Sequence, residues 1–574
     1  MANSSDDNRA PGREPARVEA VLLALLSVGL LAYWAQQYQP FFLPNNDFPS
    51  FERTARSLAA FELPRSFQRM PILPALMGIL APLMPGPHPY LNAALVLNIA
   101  FSLGTLWLLF LLASRTFGRG AVLVPLLFAA TTQFQTMGLQ PLVEPSLGFF
   151  VVLAFVLFER RSHWQWAAAA AAALSRYEAA MLIPVFVIAG MVEGRKFWRP
   201  VWLGALASAG LLLWAGLGAL HGSGGSTYLD MMKGMGFAAA PEFLERSLKE
   251  PFRGLYRSTL GPGLAGFVAL VIVPVVLGVR RGLHDFRRET LALVGFTVAC
   301  LLVIVVFGIN KARYVYPTEW IWLFFFAAGA LWAAERIARR VASSSGGALG
   351  QAALAGGAGL LALAIYRWVP RLLAEEPSLP VAADLAFGAL CVATAATWGA
   401  LVLPRRGAAA ERAVGLALAA VLVPLIGGGL QGKRSEAYKV RYASYGSVVA
   451  AEWLATHLDP GERALTLGRS HVLHLTGFEP RRIVHFGSLD AERLEDLAPE
   501  MARRGIGYAL YTWRKPLQTP SDGYYHGKLK AFLAEELRAG GKIPGLEHVT
   551  TLPLPAELGR DPVQVYRLSR KEDV

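Results

Sequence analysis

Apolar residues along this chain come in long blocks, with short arginine-rich pieces between them. A membrane crossing needs about 20 apolar residues to span roughly 30 Å of hydrocarbon. Eleven blocks meet that length within a few residues: 18–38, 91–113, 120–138, 141–158, 199–220, 259–279, 289–309, 314–334, 348–369, 381–403 and 413–430. The pattern predicts a multi-span α-helical membrane protein of about eleven crossings. The first block lacks a small-x-small cleavage site and runs into Tyr33, Trp34 and Tyr38, which reads as an aromatic belt at the exit interface, not as a cleavable leader.

Residues 164–193 do not fit a simple crossing. Arg160/Arg161 precede them and Arg195/Lys196/Arg199 follow, so both ends belong on one side. A single straight helix would run about 45 Å, and two full crossings would need about 40 residues. A re-entrant pair of half-height helices fits, with Leu174-Ser175-Arg176-Tyr177-Glu178 at its apex. Charge at a helix centre costs about 2.5–3.5 kcal/mol on insertion scales. Arg176 and Glu178 therefore line a polar cavity or shield one another between helices.

The polar stretches carry their own patterns. The loop 39–90 holds Asp47, Glu52 and two short segments, 49–62 and 71–84, suited to helices at a membrane surface. The loop 221–258 opens on a Gly/Ser piece. Beyond 433 the periodicity shortens, predicting helix 445–458, strands 463–467 and 482–486, helix 490–503, strand 507–512, a helix near 527–539 and strands near 547–552 and 563–568. Strands alternating with helices imply a small α/β domain. Three regions follow: a cytoplasmic tail 1–17, a transmembrane domain 18–430 and a C-terminal α/β domain 431–574.

Composition narrows the class. Of 574 residues, 54% are hydrophobic and 17% charged, against about 25% charged in soluble domains, which excludes disorder and a cytosolic enzyme. The net charge of +14 lies largely in loops beside apolar runs, which is membrane orientation and not a nucleic-acid footprint. The positive-inside rule then puts the N-terminus in the cytoplasm and the C-terminal domain outside. Cys300 and Cys391 fall inside predicted spans, so neither a disulfide scaffold nor a cysteine metal site is available. No P-loop, Gly-x-Gly-x-x-Gly or serine-type triad is present. His471 and His474 form only an isolated His-x-x-His, as expected of ordinary surface or core histidines.

Chemistry-bearing residues gather near the predicted outer face. Asp47, just past the first span, is placed either as a solvated turn residue or as a general base for a hydroxyl. Glu144 starts the fourth span, where a helix N-terminus favours a carboxylate with or without a function. Arg69 and Arg313 are placed to bind phosphate through paired hydrogen bonds or to snorkel as anchors. Tyr314 and Tyr316 read as belt residues. Carboxylates with arginines are what deprotonating an acceptor and stabilising a phosphate leaving group require.

Several short motifs, in this order, resemble the glycosyltransferase C superfamily, in particular the bacterial branch related to protein O-mannosyltransferases and lipid A aminoarabinose transferases. An acidic residue after the first span precedes an Ala/Leu-rich surface helix (Asp47, Phe51, Ala55, Leu58). Then come Arg69-x-Pro71-x-x-Pro74, Pro141-x-x-Glu144-Pro145, the Leu174-Ser-Arg176-Tyr-Glu-Ala179 break and Ala312-Arg313-Tyr314-x-x-Pro317. The resemblance implies an inverting transfer at the outer face of the cytoplasmic membrane, from a polyprenyl-phosphate-linked sugar to a glycan, lipid or protein acceptor. Asp47 would be the catalytic base, and Arg313, with Arg69 or Arg176, would bind the phosphate beside Tyr314. Glu144 would position the acceptor or, with Asp47, help hold a divalent cation such as Mg²⁺ or Mn²⁺. Asn46-Asp47-Phe48 supplies one carboxylate where many relatives have an acidic pair. A flippase and a non-catalytic envelope scaffold are the competing classes; no repeated halves, which an inverted-repeat transporter would show, stand out.

Overall fold

A computed structural model describes residues 17–37, 47–86, 88–118, 120–192, 197–221, 271–306, 312–344, 381–401, 445–466, 468–489, 493–511, 541–554 and 562–569, with a few isolated positions between. By contacts the chain forms two units. One comprises Met1–Pro40 and Ser50–Arg434, the other Phe41–Pro49 and Ser435–Val574.

The first unit is helical. Its helices are α1 (Arg17–Gln37), α2 (Phe48–Ala59, begun in the other unit), α3 (Ile72–Leu80), α4 (Pro89–Thr116), α5 (Leu123–Ala129), α6 (Thr132–Met137), α7 (Glu144–Glu159), α8 (Trp164–Ala173), α9 (Leu182–Val192) and α10 (Trp198–His221). They continue as α11 (Val273–Asp285), α12 (Arg287–Val306), α13 (Tyr316–Ser344) and α14 (Val381–Leu401). Among the described residues, Arg17–Gln36, Pro89–Thr116 and Trp198–His221 are long and apolar enough to cross a membrane. The expected spans 348–369 and 413–430, most of 259–279, the loop 221–258 past its first residue, and the helix near 527–539 lie outside the described residues, isolated positions aside.

The expected span 120–138 is not one helix. Its backbone breaks at Ala130-Thr131, where the Thr131 hydroxyl accepts the Phe134 N–H at 3.2 Å and caps α6. Thr and Gln side chains compete with the helix for its own backbone groups, and the Gln135 amide donates to the Ala129 carbonyl across the break. Asn98 on α4 ties the segment down by donating to the carbonyls of Gln140 and Leu142. Tyr33 and Trp34 are not a belt either. Both are buried, Tyr33 stacked on Phe387 and Trp34 against Phe134, whereas a belt residue keeps one end wet.

Residues of the expected re-entrant pair form a helical hairpin, α8 and α9. Trp166 near the start of α8 meets Phe186 of α9, so the two helices fold back on each other. The α-helical run stops at Leu174, Arg176 is extended, and a 3-10 turn covers Tyr177–Met181. Alongside, α10 serves as a ruler. Its Pro200 touches Gly190 near the open end, and its Gly210 touches Leu174 at the break. Ten residues of helix separate them, about 15 Å.

Helices α11 and α13 cross with backbones in contact. A Cβ on Gly329 would lie 1.8 Å from the Pro274 carbonyl oxygen, and one on Gly278 would lie 1.9 Å from that of Phe325. Small residues at a crossing let two helices approach this closely. Gly329→Ala is expected to cost about 1–3 kcal/mol through overpacking, read as a lowered melting temperature of the detergent-solubilised protein. Gly216→Ala, with open space around it, is the control that stays unchanged.

The second unit carries a five-stranded sheet of order β2-β1-β3-β5-β4, from β1 (Arg463–Thr466), β2 (Ile483–His485), β3 (Ile506–Tyr511), β4 (Leu546–Leu552) and β5 (Val563–Leu568). β1 pairs parallel with β2 and β3, and β5 antiparallel with β3 and β4. Alternate residues serve opposite faces. Tyr508 and Leu510 face a core with Ala450 and Leu454 of α15 (Tyr445–His457); Ala509 and Tyr511 face one with Leu497 and Met501 of α17 (Leu497–Arg503). Helix α16 (Arg469–Thr476), absent from the sequence expectation, follows β1. The expected helix 490–503 is shorter, a 3-10 turn at Leu494–Asp496 leading into α17.

Candidate functional site

Four of the residues singled out from sequence meet in the helical unit. Glu144, first residue of α7, is 1% exposed. An Arg176 Nη1 donates to its Oε1 at 2.8 Å, and Arg313 Nε stands 3.7 Å from the same oxygen. Arg176 also pairs through Nε with Glu178 Oε1 at 2.7 Å. Tyr314 lies beneath both cations, its ring 4.1 Å from Arg176 Cζ and 5.8 Å from Arg313 Cζ. Such cation–π contacts strengthen when desolvated.

Local sequence explains each placement. At the break after Leu174 the Arg176 N–H still donates to the Ala172 carbonyl while its backbone turns extended and ends the helix, and Arg313-Tyr314 occupy the 3-10 turn Ala312–Val315 that leads into α13. Pro145 at the first turn of α7 fits a helix start, whose dipole favours the Glu144 carboxylate. Across the break, the Ile72 N–H donates to the Leu174 carbonyl at 3.3 Å. Phe67, Met70 and Trp214 pack there with Leu174 and Tyr177. The Arg69-x-Pro-x-x-Pro segment is thereby fixed to the hairpin apex, with Arg69 itself stacked on Phe51, 4.8 Å from the ring centre.

The two arginines are held differently. Arg176 has two carboxylates at hydrogen-bonding distance and a side chain 10% exposed. Arg313 has its nearer carboxylate oxygen at 3.7 Å and is 18% exposed. Of the two, Arg313 is the more exposed cation.

Tyr314 and Tyr316 depart from the expected belt. Tyr314 is buried under the guanidiniums; Tyr316 is fully buried against Phe128 and Gly148. Glu178, read from sequence only as a cavity-lining partner of Arg176, belongs to this cluster. Its signal was the acid two residues beyond an arginine inside an apolar run. Asp47 is half-buried in the other unit, next to Phe48, whose ring meets His474 edge-on at 5.9 Å.

A divalent cation does not fit at Glu144. Its carboxylate already faces two guanidiniums, and a further +2 charge beside them would be repelled. Among the described residues no group of three or more His, Cys, Asp or Glu side chains converges to hold a metal.

The chain overlays ArnT from Cupriavidus metallidurans bound to undecaprenyl phosphate with a TM-score of 0.54 at 15% identity, covering 97% of this chain and 98% of that one. The apo form of the same protein gives 0.53 at 15% identity, over 96% and 98%. This chain shares the fold of that protein. At that identity the likeness is one of fold. The archaeal oligosaccharyltransferase AglB from Archaeoglobus fulgidus, in complex with an inhibitory peptide and a dolichol-phosphate, overlays at 0.49 and 12% identity, over 97% of this chain and 74% of that one. No family model and no curated protein matches the sequence.

Proposed function

We propose that the chain is an inverting glycosyltransferase of the outer face of the cytoplasmic membrane. It moves a hexosyl or pentosyl group from a polyprenyl-phosphate donor to a hydroxyl of a glycan, lipid or protein. The observation that carries this reading is the Arg176–Glu144–Arg313 cluster over Tyr314, a buried polar site in which Arg313 is the more exposed guanidinium. A fold shared with a protein seen bound to undecaprenyl phosphate supports it.

The acceptor oxygen forms a bond to the anomeric carbon as the bond from that carbon to the phosphate oxygen breaks. The electron pair leaves with the phosphate, giving polyprenyl phosphate. The acceptor proton passes to the Asp47 carboxylate, in the role the sequence resemblance assigns to it. Arg313 stabilises the charge growing on the departing phosphate, a preorganised electrostatic contribution. Arg176 keeps Glu144 in place, and Glu144 keeps Arg313 from turning away. Arg69 is a second cation on the segment that docks at the break.

Deleting the gene is expected to make an unused polyprenyl-phosphate sugar accumulate, seen by mass spectrometry of lipid extracts. Carrier lipids unchanged in the deletion strain would remove the donor assignment. A transport defect without accumulation of the sugar-loaded monophosphate would favour the flippase class.

A further inference from the structure

At the open end of the hairpin, where α8 begins, α9 ends and α10 begins, a cleft is lined by Phe158, Gln165, Trp166, Phe186, Arg199 and Pro200. Rings make most of its wall: Phe158 stacks flat on Phe186, and Trp166 meets Phe186 edge-on. Two polar side chains interrupt that wall. Gln165 is 5% exposed, and among the described residues nothing hydrogen-bonds its side-chain amide. Arg199 pairs with no carboxylate among the described residues; its Nη2 donates instead to His163 Nε2 at 3.1 Å. A histidine accepting there is neutral and adds no competing negative charge. A buried amide and a guanidinium without a counter-ion, sharing one cleft, suit an anionic oxygen.

The surroundings say where that oxygen comes from. Trp164, Phe197, Trp198 and Trp202 at this end are each at least half exposed. Indoles left outside a helical bundle at the ends of apolar runs sit at the level of lipid headgroups. Trp202 and exposed Leu206 follow Trp198 at four-residue spacing, so one face of α10 runs from headgroup level into hydrocarbon. Arg160, Arg161, Arg195 and Lys196 flank the same end in sequence. We propose that the cleft binds an anionic membrane phospholipid, one phosphate oxygen lodging between Arg199 and the Gln165 amide while the acyl chains lie along α10. The enclosed part of the cleft holds about one water-sized group, so it takes a phosphate oxygen and not a whole headgroup. The starts of α8 and α10 add the positive ends of two helix dipoles. A zwitterionic headgroup would bring its ammonium against the basic flanks and is disfavoured. The lipid bridges α8 and α10 about 15 Å from the break that carries Arg176, so this inference stands apart from the transfer reaction.

The test is native mass spectrometry of the purified full chain in detergent, titrated with dioleoylphosphatidylglycerol as the anionic probe and dioleoylphosphatidylcholine as the zwitterionic one. The wild-type chain is expected to bind the anionic lipid about tenfold more tightly, by one charge-assisted hydrogen bond. Arg199→Gln, which removes the charge and keeps a polar side chain, lowers that affinity about tenfold and abolishes the preference. Gln165→Leu, similar in size but without the amide, lowers it about threefold. Arg481→Gln, at an exposed arginine of the C-terminal unit, removes the same net charge and leaves binding unchanged. Equal affinity of the wild-type chain for the two lipids overturns the proposal, and that measurement needs no variant to fold. Wild-type affinity in Arg199→Gln puts the lipid elsewhere and overturns the site. Glycerophosphoglycerol, the same headgroup without chains, is expected to bind at least a hundredfold more weakly. Binding as tight as the lipid's would make the ligand a soluble phosphate ester and overturn the lipid assignment.

Discussion

Asp47→Asn abolishes sugar transfer while leaving expression and carrier binding intact. The expected loss is about 10²–10⁴-fold, the usual contribution of a positioned general base. The amide keeps the size and most of the hydrogen bonding of the carboxylate but cannot accept the acceptor's proton. Glu144 cannot substitute, because its carboxylate is buried between two guanidiniums. Carrier affinity should survive, since the phosphate ligands reside on other elements. The measurement is turnover with a radiolabelled donor alongside binding of the carrier phosphate by the same preparation. Wild-type turnover in Asp47→Asn removes that residue from the mechanism. Joint loss of turnover and carrier binding reassigns it to structure.

Much of the helical unit was legible because apolar block length and basic flanks are local signals. The hairpin at 164–193 was legible for the same reason, from charge clusters at both ends and a polar break between them. The block 120–138 was not, because hydropathy counts apolar residues and is blind to a threonine that caps a new helix start. The belts failed for a related cause. An aromatic residue at the end of an apolar run looks the same whether its ring faces lipid headgroups or, like Trp34, another helix. In the site, residue types were legible and pairings were not. Glu144 and Arg176 are 32 positions apart, and Arg313 is far beyond both, so nothing local links them. The sequence offered Glu144 as a metal or acceptor ligand; only the fold shows that two cations already occupy its carboxylate. In the C-terminal unit, the short β-rich apolar runs between turn residues were read to within a residue or so, while the short α16, without a long apolar face, was missed.

Arg176→Met should be the most destabilising single change in the site. It keeps much of the side-chain volume but takes from Glu178, 4% exposed, the cation paired with it, and leaves Glu144, 1% exposed, with Arg313 at 3.7 Å. Breaking a buried pair by removing one partner costs about 3–5 kcal/mol, because the abandoned charge stays out of water. Here Glu178 is the charge most directly abandoned, and Glu144 loses the nearer of its two cations. Lysine does not repair this fully, since an ammonium is a point charge and cannot offer separate edges to two carboxylates and a flat face to Tyr314. The diagnostic is rescue. Replacing the whole group, as in E144Q/R176M/E178Q, removes the uncompensated charges together and should recover more than half of the lost thermal stability in detergent, though not transfer. If instead the triple variant is as unstable as Arg176→Met, lost packing at the hairpin break, not buried charge, is what Arg176 supplies.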